Sequence, residues 1–133
     1  MDAPTSPDGM KLRVLLADDH GPFRRRVRQL LHKTPGLELV GEAGDGQEAL
    51  RLAGELKPDV VILDVVMPRL NGREATRRIR REVPSIKVIA LSLHGDSGFR
   101  CAMLDAGASS YLLKENVSQE LPRALRSMVA GSA

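Results

Sequence analysis

Tryptophan is absent from this chain, and it has only one tyrosine and two phenylalanines among 133 residues. A core with so little aromatic bulk has to be filled by Leu, Val, Ile and Ala. A single cysteine, Cys101, rules out an intrachain disulfide and gives no sign of an oxidising compartment. With no second cysteine to resolve it, Cys101 reads as a small packing residue and not a redox sensor. The first eleven residues, MDAPTSPDGMK, lack the apolar stretch of a signal peptide, and no apolar run reaches membrane-spanning length. The expected location is the cytoplasm, with no membrane contact. The net charge of +3 is too mild to call for nucleic acid by itself.

What is present is 42% hydrophobic residues in a length suited to one domain, enough to bury roughly two-thirds of its surface without metal or disulfide staples. Residues 1–10, rich in Pro, Asp, Ser and Gly, read as a disordered tail, and 11–133 as the domain. The organising stretch is PDVVILDVVMP, residues 58–68. Val60 to Leu63 put apolar side chains on both faces of a strand, the mark of the centre of a parallel sheet. Asp64 follows at its carboxyl end, where open α/β sheets hold their ligands.

The other elements repeat one order, strand then helix. Strands are expected at 12–17, 37–43, 86–92 and 110–114, and helices at 22–33, 46–57, 73–83, 99–108 and 117–131. Phe23, Val27, Leu30 and Leu31 form the apolar stripe of the first helix. Asp45 with Glu48 predicts a capping box for the second, and Ser118 a cap for the last. In the third, Arg73, Arg77, Arg80 and Arg81 lie opposite Ala75, Ile79 and Val83 and read as a solvated face. No helix-turn-helix or aromatic-basic platform accompanies these arginines, so direct nucleic-acid binding is not expected. The loop from His94 to Gly98 and the weakly patterned helix after it should be the most mobile part. His20, His32 and His94 are not at metal-ligand spacing. Five strand–helix units joined by right-handed crossovers give a doubly wound three-layer sandwich.

In such a sheet every strand's carboxyl end points to one edge. With strand order 2-1-3-4-5 that edge carries Asp18 and Asp19, Asp64, Ser92 and Lys114. Three carboxylates a few ångströms apart repel one another by roughly several kcal/mol per pair at an effective dielectric of about 20. Lys114 supplies one positive charge, which is insufficient. A hard divalent cation, Mg²⁺, suits the oxygen donors, and phosphoryl transfer to Asp64 as nucleophile is the chemistry that follows.

The segments LLADDH, VVILDVVMP, IALS ending in Ser92, and YLLK resemble the receiver domain of two-component response regulators. The resemblance runs from residue 12 to about 130. ADDH, MLDAGASSYLLK and SQELPRAL are similar to the NarL/LuxR-type subfamily, whose receivers usually precede a helix-turn-helix domain. It implies the flavodoxin-like fold with five helices and a phosphoryl group taken by Asp64 from a sensor histidine kinase. It also implies Mg²⁺, with Mn²⁺ as a substitute, held by Asp18, Asp19, Asp64 and the Val66 backbone carbonyl. Ser92 and Lys114 would contact the phosphoryl group, and Tyr111 would occupy the aromatic switch position, following Ser92 inward. An output domain or downstream regulator is the implied partner, with a homodimer on phosphorylation a further option. The domain would be regulatory, with only self-catalysed phosphorylation and autodephosphorylation.

Two departures stand out. Leu93 follows the hydroxyl residue where many receivers have a small one, which narrows access to the site. Glu115 stands where a proline is common. The sequence stops where an output domain would begin, so it reads as a stand-alone phosphorelay receiver or a fragment. A metal-dependent phosphatase is disfavoured because nothing is left to enclose a substrate. A phosphorylation-independent interaction module is disfavoured because all five polar groups are intact.

Overall fold

A computed structural model describes residues 11–93, 95 and 97–130. The expected tail at 1–10 lies outside the described residues, as do His94 and Asp96 of the expected mobile loop. The elements run β1 (Leu12–Ala17), α1 (Gly21–His32), β2 (Leu37–Ala43), α2 (Gly46–Leu56), β3 (Val60–Asp64), α3 (Gly72–Glu82), β4 (Lys87–Ser92), α4 (Ser97–Ala106), β5 (Ser110–Leu113) and α5 (Val117–Ala130). All strand pairings are parallel, in the order β2-β1-β3-β4-β5. The doubly wound five-stranded sheet predicted from the alternation of elements is the one observed.

Two apolar layers cover the sheet. Leu15, Val61, Leu63, Val88 and Ala90 face α2, α3 and α4 through Ala49, Ala53, Ala75, Ile79 and Met103. Val14, Leu16, Ile62, Ile89 and Leu91 face α1 and α5 through Val27, Leu31, Leu121 and Leu125. Every residue of β3 is buried, as its unbroken apolar run requires. β2, an edge strand, is only half-buried, which explains its weaker alternation.

The ends of elements show where sequence reading falls short. Asp45 accepts a hydrogen bond from the Glu48 amide at 2.8 Å, and the Glu48 carboxylate accepts one from the Gly44 amide at 2.9 Å. The capping box is present, but its return bond reaches one residue further back than the standard form. Ser118 is not a cap: it lies inside α5, and its hydroxyl accepts a hydrogen bond from Arg26 at 3.1 Å. A short 3-10 turn (Lys114–Asn116) leads into α5 and makes that cap unnecessary. It also takes Lys114 out of β5. α4 begins and ends two residues earlier than the pattern suggested, and Gly107, at φ +116°, terminates it. Cys101 is exposed on that helix and is not a packing residue. Arg80 does not belong to a solvated face. Its guanidinium donates to the carbonyls of Pro84 and Ile86 and so ties the end of α3 to the start of β4.

Candidate functional site

Strand register assembles the site. Ala17 pairs with Leu63, so Asp18 and Asp64 emerge side by side at the sheet's carboxyl edge. Asp64 pairs with Leu91 and Ser92 with Leu113, which brings Ser92 and Lys114 to the same edge. Asp18 is fully buried, Asp64 is 6% exposed and Asp19 is exposed. One carboxylate oxygen from each of the three lies within 4.8 Å of the others. Ser92 is 1% exposed and Lys114 7%. All five side chains expected at the edge are there.

Lys114 Nζ lies 2.8 Å from Asp18 Oδ2 and 3.2 Å from Asp64 Oδ2. Asp18 Oδ1 accepts the His20 amide at 2.8 Å, and Asp64 Oδ1 the Val66 amide at 3.2 Å. Asp18 Oδ2 is close enough to the ammonium for charge pairing, yet off the direction of a hydrogen bond, so this buried oxygen has no hydrogen-bond partner. Burial pushes the Asp64 carboxyl above its ordinary range and the charge of Asp18 adds to this; Lys114 and the Val66 amide offset only part. For Lys114, burial pulls downward, but the close Asp18 carboxylate at 2.8 Å and the charge of Asp64 outweigh it, and the net direction is up. The charges at this edge are unequal. The lysine sees two carboxylates, while each carboxylate sees one lysine and a like charge.

That excess of negative charge is what a cation would correct. The donors are all carboxylate oxygens, with no imidazole or thiolate among the grouped residues, which favours a hard ion such as Mg²⁺. Their spread is close to the span of about 4.2 Å across an octahedral shell at 2.1 Å per bond. The partnerless Asp18 oxygen also fits. The side chains present therefore suit the ion.

Sequence reasoning missed the walls. A cleft of about 580 Å³ over Asp64 is lined by Asp19, His20, Phe23, Val66, Leu93 and Lys114, together with Arg26 and Glu115. His20 caps α1, its Nδ1 accepting the Phe23 amide at 3.3 Å. Leu93, 77% exposed, stands at the rim as expected. Phe23 was assigned to the core stripe of its helix, since helical periodicity gives a residue's face but not its height above the sheet. Tyr111 is buried, with the Arg100 guanidinium 5.9 Å from its ring centre. Ser92 and Tyr111 are thus both buried, on neighbouring strands β4 and β5.

Residues 14–126 match the family described as the response regulator receiver domain. The chain is 42% identical over 120 residues to the response regulator GacA of Pseudomonas viridiflava, covering 90% of this chain and 56% of that protein. It is 40% identical over 126 residues to the nitrate/nitrite response regulator protein NarP of Escherichia coli K12, covering 95% and 59%. The chain therefore spans a little over half the length of these curated relatives. Among solved structures, the signal receiver domain of a response regulator named NarL from Mycobacterium tuberculosis superposes with a TM-score of 0.86 at 33% identity, covering 92% of this chain and 98% of that one. No helix among the described residues is long and apolar enough to cross a membrane.

Proposed function

The chain belongs to the response regulator receiver domain family, whose general function is phosphorylation-dependent switching in two-component systems, and from that premise we propose that Asp64 is its phosphoacceptor. The observation that carries this reading is a buried carboxylate at the end of the central strand, its pKa raised, 3.2 Å from a buried lysine that also pairs with a second buried carboxylate. The donor would be the phosphohistidine of a sensor kinase. An Asp64 oxygen attacks phosphorus, the P–N bond breaks, and the imidazole leaves with its electron pair as an acyl phosphate forms. Water attack on that phosphate would later release inorganic phosphate and restore the carboxylate.

Asp18, Asp19, Asp64 and the Val66 carbonyl would hold Mg²⁺, with Mn²⁺ as a substitute. The bound ion would neutralise charge on the phosphoryl oxygens. Lys114 contributes a fixed positive charge from the other side, and Ser92 a hydroxyl for a phosphoryl oxygen. Tyr111, on β5 opposite Ala90 of β4, would couple that hydroxyl to the face formed by α4 and β5. Residues 11–133 would act as one receiver unit in the cytoplasm, serving an output domain of the NarL/LuxR type or a downstream regulator.

Incubation with acetyl phosphate and Mg²⁺ followed by intact-mass measurement tests the assignment. The parent chain should gain one phosphoryl group and Asp64→Asn none, because an amide of nearly the same shape is no nucleophile. Equal labelling of the two would place the acceptor elsewhere.

A further inference from the structure

Phe23 and Tyr111 each lie against a cation. Phe23 makes the closer contact: Lys114 Nζ stands 4.4 Å from the centre of its ring. Part of Phe23 packs on the layer that holds Val27 and Leu121. Its ring also lines the cleft over Asp64.

An ammonium carries three N–H donors. Two sides of this one meet Asp18 Oδ2 at 2.8 Å and Asp64 Oδ2 at 3.2 Å. A further side meets the face of the ring, whose quadrupole attracts a cation without offering an acceptor oxygen. The ring also helps keep water from a side chain that is 8% exposed. In a loaded site both carboxylates would gain further partners, the cation at both and a phosphoryl group at Asp64. The ring is the contact of Lys114 that neither event alters.

We propose that Phe23 is a positioning residue for phosphoryl transfer: its ring holds the Lys114 ammonium where the incoming phosphoryl oxygens will need it. The inference rests on Asp64 being the acceptor. A lysine already held and partly dehydrated meets developing charge with little reorganisation, which is how fixed charges accelerate such reactions. A lysine released from the ring is free to take up water and to fold closer onto the two carboxylates.

The test is the rate of acetyl phosphate labelling in Mg²⁺, followed by intact mass on the full chain, for variants whose folding is checked by thermal unfolding. Phe23→Leu and Phe23→Met keep apolar volume and lose the aromatic face; each should label about three- to thirtyfold more slowly, the range of a partly desolvated cation–π contact. Phe23→Trp keeps the face and should recover most of the parent rate. In a Lys114→Met background, Phe23→Leu should bring no further slowing, since there is no cation left to hold. Parent-like rates in Phe23→Leu and Phe23→Met overturn the proposal. So does a Phe23→Trp as slow as Phe23→Leu, or an additional loss in the Lys114→Met background, either of which makes Phe23 a packing residue. A parent chain that takes no label overturns the phosphoacceptor reading, and the proposal with it.

Discussion

One buried ammonium facing two buried carboxylates leaves this edge with uncompensated negative charge, and single substitutions should expose it. The pKa of Asp64 is raised in the folded chain, first by burial and then by Asp18. A carboxyl raised on folding costs stability above its folded pKa, and that cost vanishes as the pH falls below its unfolded value near 4. Asp64→Asn should therefore unfold at a higher temperature than the parent in metal-free buffer at pH 7, with the gap closing toward pH 4. A variant less stable than the parent at pH 7 would mean that the lost contact with Lys114 outweighs the relieved repulsion. Asp19, exposed beside the buried pair, makes a different prediction. Mg²⁺ at a hundred times its dissociation constant stabilises a site by about 2.7 kcal/mol. A tenfold weaker site would lose about 1.4 kcal/mol of that. Asp19→Ala should thus match or exceed the parent's melting temperature without metal and gain much less from Mg²⁺. A variant that melts lower without metal, yet rises fully with it, would remove Asp19 from the ligand set.

The elements carry a constraint that the residue list does not show. The loop between β3 and α3 bears Val66 and lies directly on the start of α2. The Gly46 amide donates to the Pro68 carbonyl at 3.3 Å, and a Cβ on Gly46 would stand 1.7 Å from the Leu70 carbonyl oxygen. Arg69, held at φ 72°, pairs with Asp45 at 3.3 Å. Gly46→Ala must push this loop away and should cost about 1–3 kcal/mol in urea unfolding, the usual range for overpacking. A cost below the error of the measurement would show that the loop yields freely. In sequence, Gly46 is merely the first residue of an expected helix. Its need for closeness belongs to a chain segment more than twenty positions away, and local pattern carries no trace of it. Periodicity did locate β1, β3 and β4, because strands buried on both faces have few alternatives to an unbroken apolar run. The five edge residues were legible for the same reason: polar groups at the ends of such runs have no place in the core. Lys114 in its turn, Ser118 within α5 and Phe23 over the lysine were not legible, since each depends on where a neighbouring element ends in space.

Across the molecule, stability is unevenly placed. β1, β3 and β4 form the sheet's centre, whereas α4 among its described side chains buries only Met103 and Ala106 and leaves Cys101 and Leu104 exposed. An element with so little apolar anchorage should open at a free energy well below that of global unfolding. Amides of α4 are therefore expected to exchange with deuterium long before those of β3. The switch follows from this gradient. Ser92 and Tyr111 are both buried, so a phosphoryl group on Asp64 is expected to act through a local hydrogen bond at Ser92. A hydrogen bond from Ser92 to a charged phosphoryl oxygen is worth roughly 1.5–3 kcal/mol. That amount shifts a two-state segment by about ten- to a hundredfold, enough to quiet α4 and too little to build a new fold. The parent should show slower exchange across 98–108 after acetyl phosphate treatment. Ser92→Ala should take up phosphate and show little of that slowing. Equal slowing in both would make the charge on Asp64, and not the hydroxyl, the link between the acidic edge and the α4 face.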